Sequence, residues 1–104
     1  MISKRISDLI PSIRNYLHDK PVLRAWIFGS FSRGEETDES DVDILVDYDD
    51  SNGTVSLLKM GGMLMDLSDI VGRRVDLVDN RGLKDFARKS VEHDRILIYE
   101  RNWN

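Results

Sequence analysis

The chain has 104 residues, a net charge of −4, 40% hydrophobic content and no cysteine. A chain of this length buries roughly two thirds of its unfolded surface, so one core and a single domain over residues 1–104 are expected. Disulfides and thiolate metal sites are excluded.

At the N-terminus Lys4 and Arg5 precede no sustained apolar run, because Ser7, Asp8, Pro11 and Ser12 interrupt it, which argues against a signal peptide. No apolar run approaches the length that crosses a bilayer, and a cytoplasmic location is the expectation. Ile6, Leu9, Ile10, Ile13 and Leu17 recur with a helical period over residues 5–18, with Pro11 marking a kink or a break. Residues 23–28 read as a strand that stops at Gly29, and Ser30, a favoured N-cap, opens a short helix through residue 33. Residues 31–56 then hold nine acids and one base, Arg33. Glu35, Glu36, Asp38 and Glu39 read individually as a solvated loop, and a face this acidic argues against nonspecific nucleic-acid binding. Residues 42–46 form a second strand, followed by a polar loop over 48–53. A long helix is expected over 54–71, with Leu57, Met60, Leu64, Leu67 and Val71 on one stripe and Gly72 as its C-cap.

Inside that helix Gly61-Gly62 points to close packing against another element, or less commonly to a hinge. Met60, Met63 and Met65 read as core filling or an adaptable surface. Residues 75–78 form a third strand, a helix with Leu83, Phe86 and Val91 follows Gly82 to about His93, and residues 96–99 add a last strand. Helices alternating with strands indicate an α/β sandwich around a small sheet. His18 and His93 lack metal-ligand spacing, and Trp103 reads either as a tail anchored on the core or as part of a partner surface.

The chemistry concentrates between residues 28 and 44. Alternate strand residues share a face, so Asp41 and Asp43 project together while Val42, Ile44 and Val46 face the other way. Two adjacent carboxylates resist ionising together unless a cation lies between them. Hard ions such as magnesium take oxygen ligands and keep places for water and substrate phosphates. Gly29 lets backbone approach a ligand closely, and a helix starting at Ser30 would aim N–H groups at an anion. Alone, Gly29-Ser30 is an ordinary strand-to-helix turn, and Asp-Val-Asp is a charged edge strand. Together they describe a metal–phosphate site. The chain has no Walker A sequence, which excludes a P-loop ATPase.

Gly29-Ser30, ten intervening residues and Asp41-Val42-Asp43 resemble the signature of the DNA polymerase β-type nucleotidyltransferases. The fuller string GSFSRGEETDESDVDILV, with the ILIYER ending, resembles the minimal nucleotidyltransferases often encoded beside HEPN-domain proteins. The resemblance implies an α/β (α+β) polymerase β-like fold with a mixed sheet flanked by helices. It also implies a third acid on a later strand. Asp76, within Val75-Asp76-Leu77-Val78, is the natural match, and Asp79, beside Asn80 and Gly82, the weaker one. Gly29, Ser30, Arg33 and Ser40 would contact the nucleotide, with a plainly solvent-exposed arginine the alternative for Arg33. Asp41, Asp43 and Asp76 would hold two Mg2+ ions, or Mn2+, with ATP as substrate. The implied activity is transfer of AMP to a tyrosine hydroxyl of a HEPN toxin, this chain being its type VII-like antitoxin in a hetero-oligomer. No length remains for a second, substrate-binding domain, so the acceptor would bind through a partner surface or be the partner itself, and the resemblance implies the second. A catalytically silent module that neutralises its partner by occlusion is the alternative, and an antibiotic nucleotidyltransferase fragment a weaker third.

Overall fold

The computed structural model describes residues 1–102, so Trp103 and the reading attached to it lie outside the described residues. The strands are β1 (Val22–Phe28), β2 (Val42–Tyr48), β3 (Val75–Asp79) and β4 (Ile96–Glu100). They lie in the order β3-β2-β1-β4. β1 runs antiparallel to β2 and β4, while β2 and β3 are parallel, so the sheet is mixed. A parallel pair needs a crossover. It is supplied by a helix of 15 residues, α4 (Leu57–Val71), the fourth helix after α1 (Lys4–Ser7), α2 (Ile10–Leu17) and α3 (Ser30–Arg33). A 3-10 turn at Asn80–Gly82 and α5 (Asp85–Asp94) carry the chain from the β3 edge to the β4 edge.

The N-terminal helical run is broken rather than kinked. Pro11 stands in the first turn of α2, where a missing N–H leaves no hydrogen bond unmade. The core joins Ile6 of α1 and Ile13 and Leu17 of α2 to Ala25, Ile27, Ile44, Val46 and Ile98 of the sheet and to Met63 and Leu67 of α4. Leu45 and Val91 are buried outside that cluster, and by strand alternation Leu45 shares the opposite sheet face with Asp43.

Three expectations need correction. Tyr48 is not loop: it pairs with Val22 at the end of β2 and is 6% exposed. Leu57 is not on the core stripe. Ser56 caps α4 by accepting a bond from the Lys59 N–H, and this start leaves Leu57 85% exposed in the first turn. Finally, a Cβ at Gly61 or Gly62 would meet nothing within 4 Å, so close packing within the chain does not account for the glycine pair. The methionines divide, Met63 being buried, Met60 half-buried and Met65 71% exposed.

Candidate active site

The site is built where β1 ends beside the start of β2. Gly29 has φ 75° and ψ −153°, a conformation open in practice only to glycine. Gly29, rather than Ser30, takes the cap position of α3, with no side-chain bond, and Ser30 becomes the first helical residue. The Gly29 carbonyl accepts bonds from the N–H groups of Ser32 (3.1 Å) and Arg33 (3.3 Å) and from Ser32 Oγ (2.7 Å). With only four residues, α3 has little dipole of its own. What this turn offers is bare backbone lying against a carboxylate: a Cβ on Gly29 would collide with Asp43 Oδ2 and come within 3.4 Å of Cγ.

Strand register gathers the acids. Phe28 pairs with Asp43, and Asp43 pairs with Asp76 across the parallel β2–β3 ladder. In-register partners on neighbouring strands point to the same face. Asp41 lies two residues before Asp43, just ahead of β2. Asp43 is half-buried and Asp76 exposed. Burial, then the charges of Asp76 and Asp41, push the Asp43 carboxyl up to about 6, against a smaller opposing effect of Arg33. The side chains are not closed into a cage: among the described residues no three His, Cys, Asp or Glu groups are gathered tightly enough to hold a metal ion. The set nevertheless fits a hard divalent cation. Its donors are all carboxylate oxygens, and burial with the charges of Asp76 and Asp41 opposes ionisation of Asp43 more than Arg33 favours it, a balance that a cation would reverse.

The remaining expected residues divide. Asp79 is occupied, accepting bonds from the Arg81 N–H (3.0 Å) and guanidinium (3.1 Å), whereas Asp76 is the acid in register with Asp43. Arg33 bonds Glu35 (2.7 Å) and Asp94 at the end of α5 (2.6 Å) rather than any of the three acids. Ser40 shapes the loop entering Asp41, its Oγ accepting a bond from the Thr37 N–H (2.9 Å). Two arginines not singled out from the sequence complete the surroundings. Arg73 donates to the Ser40 carbonyl (3.2 Å) and stacks 5.0 Å from the Phe31 ring centroid, tying that loop to α3. Arg74 places Nε 3.7 Å from Asp41 Oδ2. Their only sequence signal is position, directly before the strand that carries Asp76.

A cleft of about 430 Å³ adjoins α3, lined by Ser32, Arg33, Glu35, Asp94 and Arg95 among others. A larger cavity, about 550 Å³, is lined by His18, Asp49, Lys59 and Arg101 and contains none of the three acids. It lies near the far ends of β1 and β2.

Residues 11–104 match the family of polymerase β nucleotidyltransferases. The chain is 40% identical over 96 residues to the protein adenylyltransferase MntA of Thermococcus cleftensis, covering 91% of this chain and 94% of that one. A solved structure described as a minimal nucleotidyltransferase superposes with a TM-score of 0.77 at 28% identity, covering 92% of this chain and 95% of that one. A chain in the solved complex of a tri-AMPylated Shewanella oneidensis HEPN toxin with MNT antitoxin gives a TM-score of 0.67 at 20% identity. That match covers 92% of this chain and 73% of the other, and it is a likeness of fold.

Proposed function

The chain belongs to the polymerase β nucleotidyltransferase family, and from that premise we propose that it transfers AMP from ATP to a tyrosine hydroxyl of a cognate HEPN toxin, acting as the antitoxin. The observation that carries this reading is the Gly29 turn laid against half-buried Asp43, which is itself in register with Asp76. Relatives support the rest: MntA of Thermococcus cleftensis, 40% identical, bears the name protein adenylyltransferase, and the same fold occurs in a complex with an AMPylated HEPN toxin.

Asp41 and Asp43 would hold two magnesium ions, or manganese with its similar ligand preference, and Asp76 would complete one of the sites. Such ions, when bound, neutralise the triphosphate and stabilise charge on the entering and leaving oxygens. The backbone at Gly29 and Ser30 receives phosphate oxygens. Ser40 keeps Asp41 in place through its loop. Arg33 is free to neutralise nucleotide charge once it gives up Glu35 or Asp94. The acceptor oxygen attacks the α-phosphorus, the bond to the bridging α–β oxygen breaks, and pyrophosphate leaves. The hydroxyl proton passes to an Asp76 carboxylate oxygen. Positioning and charge neutralisation carry such a reaction, without a covalent enzyme intermediate. Residues 1–104 act as one domain, and no helix among the described residues is long and apolar enough to cross a membrane. We place this activity in the cytoplasm.

Mass spectrometry of the chain mixed with its genomic neighbour and MgATP tests the reading. The partner should gain about 329 Da per AMP, the increment set by adenylyl transfer with loss of pyrophosphate. No adduct on the partner, with the chain folded and nucleotide bound, would overturn the assignment.

A further inference from the structure

We propose that the outward face of α4 docks, antiparallel, onto the same face of a second copy of this chain. Leu58 and Met65 are 89% and 71% exposed, and Leu57 beside them is 85% exposed. Leu58, Gly61, Gly62 and Met65 stand at i, i+3, i+4 and i+7, one stripe on the side away from buried Met63 and Leu67. That spacing is the four-residue hole into which a facing helix inserts a side chain. The two glycines each cost about 1 kcal/mol against alanine in a helix interior, and nothing in the chain lies within 4 Å of where their Cβ atoms would be. Backbone left bare in this way permits a second helix to approach closely. A shallow groove of about 310 Å³, lined by Ser56, Leu58, Lys59, Gly62 and Met63, runs along the flank of this stripe that carries Lys59.

Charge selects the occupant. Lys59 and Asp66 are seven residues apart on one flank of the stripe, with the base toward the N-terminal end. An antiparallel copy related by a two-fold axis near Gly61-Gly62 sets Leu58 against the other chain's Met65. The same operation brings Lys59 beside the other chain's Asp66, and symmetry makes the pair twice. A parallel copy would instead turn this flank to the opposite side of the seam, and neither charge would meet its counterpart. The face is therefore complementary to itself only in the antiparallel sense. A seam of two helical turns falls well below the roughly 1,000 Å² of a stable interface, so the dimer is a weak, concentration-dependent one. This inference stands apart from the transfer chemistry, since none of the three acids lies on α4.

Sedimentation velocity on the full chain, from low micromolar to near-millimolar concentration, tests it. The wild type should pass from monomer to dimer. Lys59→Asp should weaken association by about tenfold or more, since it replaces both symmetric attractions with repulsions, and Lys59→Asp/Asp66→Lys should restore it. Asp66 also accepts a bond from the Tyr16 hydroxyl, so a second variant guards against a folding defect in the double one. Gly62→Cys, near the two-fold axis, should form an interchain disulfide on mild oxidation. A wild type that stays monomeric at the highest concentration overturns the proposal. So does a Lys59→Asp chain that dimerises unchanged, or a Gly62→Cys chain that cross-links only to a different co-expressed protein.

Discussion

Asp43 carries a charge that the metal-free fold disfavours. Burial first, then Asp76 and Asp41, raise its pKa from 3.8 to about 6. With the folded value above the unfolded one, the folded state binds more protons between these two limits. Stability therefore falls as pH rises through that window, and the penalty is complete above about 6. Asp43→Asn should stabilise the metal-free chain at neutral pH by about 1–2 kcal/mol after allowing for partial exposure, and raise its melting temperature accordingly. The gain should fade toward pH 4, while stabilisation by magnesium and nucleotide, and all transfer activity, are lost. Thermal melts across pH with and without MgATP check each part, and a pH-independent difference would remove the electrostatic account of this residue. Gly29→Val tests the neighbouring turn. Its side chain must occupy positive φ and meet the Asp43 carboxylate, so stability should drop by about 1–3 kcal/mol. Turnover should fall further, by about a hundredfold, because the backbone proposed to face phosphate and the acid proposed to hold metal are displaced together. A folded Gly29→Val chain with wild-type turnover would make the turn merely structural.

Within α4 two glycines should respond to alanine with opposite signs. Gly72 ends the helix at φ 76°, and although nothing lies near its missing Cβ, an alanine there is strained. Gly72→Ala should destabilise by about 1 kcal/mol. Gly61 has helical geometry and open space, so Gly61→Ala should stabilise the monomer by up to about 1 kcal/mol. Denaturant titrations at low concentration read both, and equal signs would show that local backbone preference does not govern this helix. The same helix shows what the sequence discloses and what it withholds. Period and C-cap chemistry are local, so the element and its end at Gly72 were legible. The facing of Leu57 was not, because it depends on Ser56 capping the first turn. Tyr48 was missed for a related reason: amid Asp47, Asp49 and Asp50 it reads as loop, and only pairing with Val22 of β1 makes it strand. In the site, the Asp41–Asp43 pair and the Gly29 turn follow from residue spacing. Arg73 and Arg74 do not, since the contacts from Arg73 to Phe31 and Ser40 and from Arg74 to Asp41 span more than thirty residues.

At the scale of the molecule, the chemistry and the ties that close the fold occupy different ends of the sheet. Asp41, Asp43 and Asp76 cluster at the starts of β2 and β3. At the other end Arg101 pairs with Asp49 and donates to the Lys20 carbonyl (3.1 Å), and Asp47 joins Arg24 (3.0 Å) to Asn80 (2.8 Å). Changes to the acids therefore leave these cross-links alone, which makes a clean separation of catalysis from binding possible. Asp41→Asn/Asp43→Asn should fold, with melting no lower than the metal-free wild type, and should still bind the proposed toxin partner wherever docking avoids those two side chains. It should add no AMP. In cells producing the toxin, wild type should restore growth and the double variant should not, because a bound but unmodified toxin regains activity each time the complex dissociates. Growth counts paired with intact-mass spectra of the recovered toxin distinguish the outcomes. Full protection by the double variant, with the toxin unmodified, would establish occlusion as the biological role. Protection that tracks the AMP adduct requires the acids for their chemistry, and it accounts for a fold that tolerates three neighbouring carboxylates at a cost to its own stability.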